Sequence, residues 1–177
     1  MSYQIVSRSL NDDEIIMCQR VFAGTLPTAL LRRKVLLSNG LGAGSRPFTS
    51  FDIGVSTYKI YIGARAFDAN SRTTMGYKGT FVHEMTHVWQ MYRGWSGFLG
   101  VWASSLVSQA CRQGNAYVYG EGNLRKPWDD FGVEEQAQIV EDWFMKGLNS
   151  TDPRFHYIHD NIRDGRKGYV GDLVDDV

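Results

Sequence analysis

His83, Glu84 and His87 are the residues of this chain whose types and spacing could do chemistry. They lie in the segment HEMTH, where two histidines stand four positions apart and a glutamate follows the first. On a helix this spacing brings both imidazoles to one face, within reach of a single Zn²⁺ ion. The glutamate would lie beside the metal and accept a proton from a water that the zinc activates. The motif therefore predicts a zinc site with its own general base.

The residues around the motif predict how its helix packs. At about 100° per residue, apolar and polar side chains separate onto two sides. The polar side lacks Lys, Arg and Asp for about one and a half turns, which is unusual for a solvated face. We therefore expect the core to back this helix and the histidines to face outward into a cleft. The apolar side comprises Phe81, Met85, Val88, Trp89 and Tyr92, and the polar side His83, Glu84, His87 and Gln90.

A third metal ligand must come from elsewhere, because catalytic zinc usually takes three protein ligands. The metzincin pattern would need glycine at position 90 and histidine at 93. This chain has Gln90 and Arg93 there, which excludes that class. Glu121 lies between two glycines, a poor place to hold a ligand.

The segment 133–148 is predicted to be a helix that supplies the ligand. Glu134 and Glu141 border its apolar side, whereas Glu135 points towards solvent. We favour Glu134 as the ligand, since the small Ala137 one turn later lets two helices approach closely. Glu141 is an alternative ligand, or the partner of a histidine N–H, a role that metal-bound imidazoles need filled. Glu135 and a residue of the C-terminal tail remain further alternatives.

Several other polar residues are candidates for supporting roles. Gln90 joins Glu141 as a candidate partner of the histidines. A tyrosine or histidine could donate a hydrogen bond to the oxyanion of a tetrahedral intermediate. His156 and His159, three apart, fit either a second metal pair or a partly buried structural face. The candidate oxyanion donors are Tyr117, Tyr119, His156 and Tyr157.

The elements that must position these residues predict an α+β fold. We expect a small twisted sheet packed on the HEMTH helix, with the 133–148 helix completing the cleft. Asn11 and Glu14 form a capping-box pattern at the start of a first helix. The HEMTH helix should run to about Arg93. Further predictions are helix 9–23, strands 29–37, 57–63 and 115–120, a buried helix or apolar loop over 97–111, and a short helix in the tail.

Composition excludes several classes of protein. The 177 residues fit one domain, 1–177. Basic and acidic residues each number 19, so the formal net charge is zero and no global field favours nucleic acid. No apolar run approaches a membrane span, and the first residues lack the apolar core of a Sec signal. We therefore expect synthesis in the cytoplasm, with export only by a machine that accepts folded proteins. Cys18 and Cys111 are expected to be buried reduced thiols.

Two segments carry a resemblance to a known family. FVHEMTHVWQ, followed by YVYG and FGVEEQAQIVEDW, resembles the small zincin metallopeptidase domains of bacteria. These domains occur alone or attached to Rhs proteins and type VI secretion spike (VgrG-type) proteins. The family pattern H-E-x-T-H-x-W-Q is followed by E-x-Q-A, which Glu134, Gln136 and Ala137 match. The similarity spans roughly residues 20 to 145, and it too indicates Glu134 as the ligand.

The resemblance implies a zincin-like, zinc-dependent metallopeptidase that acts as a secreted bacterial effector or toxin. Its expected partners are a protein or peptide substrate, a secretion-apparatus carrier and a cognate immunity protein. One alternative is a housekeeping or self-processing zinc protease. Another is a zinc-stabilised binding module without turnover. Glu84 argues against the binding module, because a structural zinc site needs no base and closes its fourth position.

Overall fold

The computed structural model describes residues 4–67, 75–93, 119 and 124–164. Over these residues the chain is α+β, as predicted. The strands are β1 (Ser7–Ser9), β2 (Val35–Ser38), β3 (Phe48–Asp52) and β4 (Thr57–Tyr61). The helices are α1 (Asp12–Phe22), α2 (Thr28–Lys34), α3 (Met75–Tyr92), α4 (Val133–Met145) and α5 (Phe155–Tyr157), which continues as a π-helix over Ile158–Arg163. Short 3₁₀ turns cover Ala23–Thr25, Ala43–Ser45 and Trp128–Asp130.

The four strands form one mixed sheet in the order β1-β2-β4-β3. β2 and β4 are parallel, and the two outer pairs are antiparallel. In β4 the buried Tyr58 and Ile60 alternate with half-buried neighbours, as expected for a strand with one face on the core. Thr49 of β3 pairs with Ile60, so its side chain lies on the same, buried face. The edge strand β3 therefore presents a polar side chain to the helical layer.

Helix α1 begins with the predicted capping box. Asn11 Oδ1 accepts the Glu14 N–H at 2.8 Å, and Glu14 Oε2 accepts the Asn11 N–H at 2.9 Å. Arg8 also donates to both oxygens of Glu14, each at 2.8 Å. These bonds satisfy a carboxylate that is fully buried. The cap sets the first helical residue at Asp12, within the predicted range 9–23.

The prediction of a single strand over 29–37 is wrong for most of its length. Residues Thr28–Lys34 form α2, and only Val35–Ser38 form a strand. Pro27 precedes the helix, and Leu, Arg and Lys are good helix formers. A short run in which apolar and basic residues alternate does not distinguish a helix from a strand by periodicity alone. Strands β1 and β3 were not predicted at all.

Helices α3 and α4 pack directly against each other. Ala137 is fully buried in α4, which agrees with its predicted role as a small contact residue. On α3, Gly79 lies against Glu141 and Met145 of α4. A Cβ atom at Gly79 would lie 2.7 Å from Glu141 Oε1 and 3.2 Å from Met145 Sδ. Glycine here therefore allows the close approach of the two helices.

The remaining predicted elements have mixed outcomes. The strand predicted over 57–63 ends at Tyr61, and the helix predicted over 133–148 ends at Met145, just before Gly147 with φ +85°. The tail contains the predicted short helix. Residues 97–111, including Cys111, lie outside the described residues, as does all of 115–120 except Tyr119. Cys18 is buried and free. Within the described part of the chain, every helix is too short or too polar to span a bilayer.

Candidate metal centre

His83, His87 and Glu134 converge where α3 packs on α4. The Nε2 atoms of His83 and His87 lie 3.3 and 3.4 Å from the same oxygen, Glu134 Oε2. One ligand atom from each of the three residues lies within 4.8 Å of the other two. The structure therefore brings together the three residues that the sequence predicts as metal ligands.

The separations between these atoms match the donor set of a tetrahedral zinc ion. Zinc bonds of about 2.0–2.2 Å to nitrogen and oxygen place neighbouring ligand atoms about 3.3–3.5 Å apart in a tetrahedron. The two distances in the structure, 3.3 and 3.4 Å, lie within this range. A charge-assisted hydrogen bond is normally shorter, about 2.7–2.9 Å. The spacing between Glu134 Oε2 and each histidine nitrogen is therefore compatible with ligands of one cation.

The other ring nitrogen of each histidine has its own hydrogen-bond partner. The Nδ1 atom of His83 lies 3.1 Å from Glu141 Oε2, and the Nδ1 atom of His87 lies 2.8 Å from Gln90 Oε1. Such partners orient metal-binding imidazoles and select the nitrogen that faces the metal. Glu141 and Gln90 thus occupy the supporting positions that the sequence predicts for them.

Gln90 is itself held by a chain of buried amides. Its Nε2 donates to Val133 O at 3.1 Å and to Gln136 Oε1 at 3.0 Å. The Nε2 of Gln136 donates in turn to Trp128 O at 3.1 Å and to Phe131 O at 3.4 Å. Sequence reasoning gave Gln136 no role. Its signal was its match, with Glu134 and Ala137, to the family pattern E-x-Q-A.

Glu84 lies on the same helix and contacts the sheet. Thr49 Oγ1 of β3 lies 2.8 Å from Glu84 Oε2 and 3.1 Å from the Glu84 carbonyl oxygen. Both residues are about 5% exposed. Sequence reasoning missed Thr49 because β3 was not predicted, and a lone threonine carries no motif.

Charges within the cluster shift the pKa values of its members. Burial lowers the pKa of His83, but its bonds to Glu134 and Glu141 outweigh burial and raise this pKa to about 10. The pKa of His87 is also raised, because the charge of Glu134 overcomes burial. Both histidines in turn hold the pKa of Glu134 well below its usual range, despite its burial. The buried Glu134 carboxylate and the two imidazoles therefore stabilise one another's charged forms.

Glu84 differs from Glu134 in its electrostatic environment. Burial raises the pKa of Glu84, and the nearby histidines and the Thr49 hydroxyl only partly offset this effect. A carboxylate with a raised pKa is a better proton acceptor near neutral pH. The two glutamates of the cluster thus suit two roles, ligand and base.

The polar side of α3 does not face outward, contrary to the sequence-based expectation. His83, Glu84 and His87 are only 5–7% exposed, and Gln90 is fully buried. Packing against α4 and against Thr49 of β3 covers this side, which explains the absence of Lys, Arg and Asp from it. The sequence pattern indicated a non-solvated polar face but did not identify what covers it.

The other candidate residues have different partners. Glu135 accepts the Gly132 N–H at 2.9 Å and caps α4. Tyr119 donates to Asp142 at 2.5 Å and accepts from Arg154 at 2.7 Å, so its hydroxyl joins α4 to the start of α5. Tyr117 and Glu121 lie outside the described residues. Tyr157 donates to Lys126 O at 2.8 Å, the exposed His156 bonds Pro153 O at 2.6 Å, and His159 bonds Asp160 at 2.7 Å.

Comparison with known proteins finds a distant relative. The chain is 28% identical over 170 residues to the type VI secretion system spike protein VgrG2b of Pseudomonas aeruginosa. The alignment covers 89% of this chain but 15% of that protein, so the chain is similar to a small part of it. No family model matches the chain, and no solved structure matches it.

Proposed function

We propose that this protein is a zinc-dependent metallopeptidase with a zincin-like fold. His83, His87 and Glu134 hold the metal, and Glu84 is the general base. The observation that carries the proposal is the pair of Nε2–Oε2 separations, 3.3 and 3.4 Å, on one carboxylate oxygen. A glutamate with a raised pKa next to this cluster adds the group that hydrolysis requires.

Glu84 is the residue that would move the proton. A zinc ion, when bound, lowers the pKa of a coordinated water and polarises the carbonyl of a substrate. Thr49 engages Oε2 of Glu84, which leaves Oε1 to accept a proton and later deliver it to the leaving amine. Glu141 and Gln90 hold the histidine rings so that both Nε2 atoms face Glu134.

We further propose that the peptidase acts as an effector of a type VI-like secretion system. The support is the similarity to part of a protein named as a type VI secretion spike. In this interpretation the partners are a carrier in the secretion apparatus, a cognate immunity protein and a protein substrate in the target cell. A housekeeping protease would have the same centre, but its active form would not be toxic to a neighbouring cell.

A non-catalytic zinc module is the main alternative of another class. Structural zinc sites are usually closed by four protein ligands. Among the described residues, the cluster offers three ligands, and Glu84 is a separate acidic group that bonds Thr49. This arrangement favours a centre with an open position and a base.

Substitution of Glu84 separates these functions. Glu84→Gln should keep one zinc per chain and the folded state, while turnover falls by about two to four orders of magnitude. Zinc content by mass spectrometry and cleavage-site profiling of a proteome, for wild type and variant, measure the two effects. Loss of zinc would make Glu84 a ligand, and unchanged cleavage would remove it from catalysis. Expression in the periplasm and in the cytoplasm then tests toxicity.

A further inference from the structure

The amide groups of Gln136 and Gln90 have orientations that the backbone determines. An amide Nε2 can only donate hydrogen bonds, and a backbone carbonyl can only accept them. Gln136 Nε2 lies near two carbonyls, Trp128 O at 3.1 Å and Phe131 O at 3.4 Å. Its Oε1 must therefore point to Gln90 and accept from it. Flipping the amide would set an oxygen against two carbonyl oxygens.

The same reasoning applies to Gln90. Its Nε2 meets two acceptors, Val133 O at 3.1 Å and Gln136 Oε1 at 3.0 Å, which uses both hydrogens of the amide. Its Oε1 therefore faces His87 Nδ1, at 2.8 Å. Both glutamines are fully buried, so no bulk water competes for these bonds. Three backbone carbonyls therefore determine the direction of hydrogen-bond donation from Gln90 to Gln136 and onward.

This direction determines which nitrogen carries the proton when the His87 ring is neutral. Gln90 Oε1 can only accept, so His87 Nδ1 must be the donor. In the neutral ring, Nε2 then has the lone pair, and Nε2 is the atom that lies 3.4 Å from Glu134 Oε2. A neutral imidazole in water prefers the opposite tautomer, with its proton on Nε2, so the protein has to impose this one.

We propose that Gln90 and Gln136 form a directional amide relay that fixes His87 in the Nδ1–H tautomer and so prepares Nε2 to bind a divalent metal. The metal part of this inference rests on the proposed function. Gln90 and Gln136 are positioning residues, since they act through His87. The relay also holds α4, because Val133 and Gln136 flank Glu134 on the first turn. One set of bonds therefore orients a ligand on α3 and sets the position of the ligand on α4.

Two substitutions at position 90 separate positioning from general stability. Gln90→Met has a similar length but removes the acceptor for His87 and the donor for Val133 O and Gln136. Gln90→Glu keeps an acceptor oxygen for His87 Nδ1–H in either of its protonation states. Gln138→Met is the matched control, because Gln138 on α4 bonds only within that helix in its described contact, to Asp142 at 2.9 Å.

The measurements are zinc affinity, thermal stability of the metal-free protein and the tautomer of His87. Gln90→Met should weaken zinc binding by about 10- to 100-fold, the usual effect of losing a partner of a metal-bound histidine. Gln90→Glu should bind zinc more tightly than Gln90→Met, because it keeps an oxygen that accepts from His87, although it loses the amide donor to Val133 O and Gln136 and should unfold at a lower temperature than wild type. Gln138→Met should leave zinc affinity unchanged. The visible spectrum of the Co²⁺-substituted protein should change in Gln90→Met alone.

The tautomer is read without any metal. Long-range ¹H–¹⁵N spectra of histidine-labelled, metal-free protein at alkaline pH distinguish a proton on Nδ1 from one on Nε2. Wild type should have the neutral His87 proton on Nδ1, and Gln90→Met should lose this preference. A proton on Nε2 in wild type would overturn the relay.

The relay and the proposed function can fail separately. Wild-type zinc affinity in Gln90→Met, or equal losses of affinity in Gln90→Met and Gln90→Glu that follow their stabilities, would overturn the relay. A wild-type protein with the expected tautomer but no stoichiometric zinc would support the relay and overturn the proposed metal centre.

Discussion

At the scale of single residues, the candidate centre assigns different roles to chemically identical side chains. Glu84, Glu134 and Glu141 are all glutamates near two histidines, yet each has its own partners. Glu134 lies between two Nε2 atoms, Glu141 meets one Nδ1, and Glu84 bonds Thr49. Environment, not residue type, therefore distinguishes the proposed ligand, the proposed orienting partner and the proposed base.

Alanine substitutions test this assignment of the glutamates. Glu134→Ala should lose stoichiometric zinc and activity together, because two histidines alone hold zinc weakly. Glu141→Ala should weaken zinc binding by about 10- to 100-fold without abolishing it. The control is Glu135→Ala, which should keep zinc but lower the free energy of unfolding by about 1 kcal/mol through loss of a helix cap. Zinc content after dialysis against a weak chelator measures all three.

The opposite result for Glu134 and Glu135 would contradict the assignment of Glu134 as the ligand. If Glu135→Ala lost the metal while Glu134→Ala kept it, the helix would be rotated by one residue, about 100°. The Glu135 bond to Gly132 N–H at 2.9 Å would then also be wrong.

Thr49 should tune the base through its hydroxyl. The Thr49 hydrogen bond lowers the pKa of Glu84, opposing the effect of burial. Thr49→Val removes the hydroxyl at nearly constant volume, so the pKa of Glu84 should rise further. The acidic limb of the kcat/KM profile should move to higher pH, with zinc content unchanged. The pH dependence of peptide cleavage measures this shift, and an unmoved acidic limb would show that Thr49 does not act on the base.

At the scale of elements, the site depends on the close approach of α3 and α4 at Gly79. Alanine in a helix interior normally stabilises by about 0.5–1 kcal/mol relative to glycine. Here the added Cβ would lie 2.7 Å from Glu141 Oε1. The other oxygen of the same carboxylate, Oε2, contacts His83 Nδ1. Gly79→Ala should therefore weaken zinc binding and give less than the usual stabilisation.

The double variant isolates the cause of the Gly79 effect. In a Glu141→Ala background the clash with the carboxylate is gone, so Gly79→Ala should recover most of the usual helix stabilisation. Urea unfolding of the wild type, the two single variants and the double variant gives the coupling free energy between positions 79 and 141. A coupling free energy near zero would mean that Gly79 does not act through Glu141.

At the scale of the whole molecule, the metal should link stability to pH. His83 has a pKa near 10 in the folded, metal-free protein and about 6.5 when unfolded. A raised pKa contributes stability that is present below pH 6.5 and is lost as pH rises towards 10. In the proposed function zinc takes the place of this proton, so the metal-free protein should lose this stability with rising pH and the zinc-bound protein should not.

The difference in melting temperature between zinc-loaded and chelator-treated protein should therefore grow from pH 6.5 to 8.5. Thermal unfolding at constant ionic strength measures it, with Glu134→Ala as the variant that should respond to neither zinc nor chelator. An equal difference at both pH values would count against imidazole ligation.

Sequence periodicity predicted the features that depend on neighbours along the chain. Three such features involve residues only a few positions apart: the capping box of α1, the histidine spacing on α3 and the borders of the apolar face of α4. Helical geometry alone converts such spacings into shared faces. The same local reasoning failed at 29–37, because a short alternating run fits a helix and a strand equally well.

Tertiary structure decided what those faces meet. Thr49 lies 35 positions from Glu84, and Gln136 lies 46 from Gln90, and neither pairing has a spacing that periodicity could detect. The sequence identified His83, Glu84 and His87 as a chemical unit because one helix turn holds them. The partners of these three residues follow only from the packing of α3 between β3 and α4. A buried polar group needs a hydrogen-bond partner, and the fold decides which residues are close enough to be that partner.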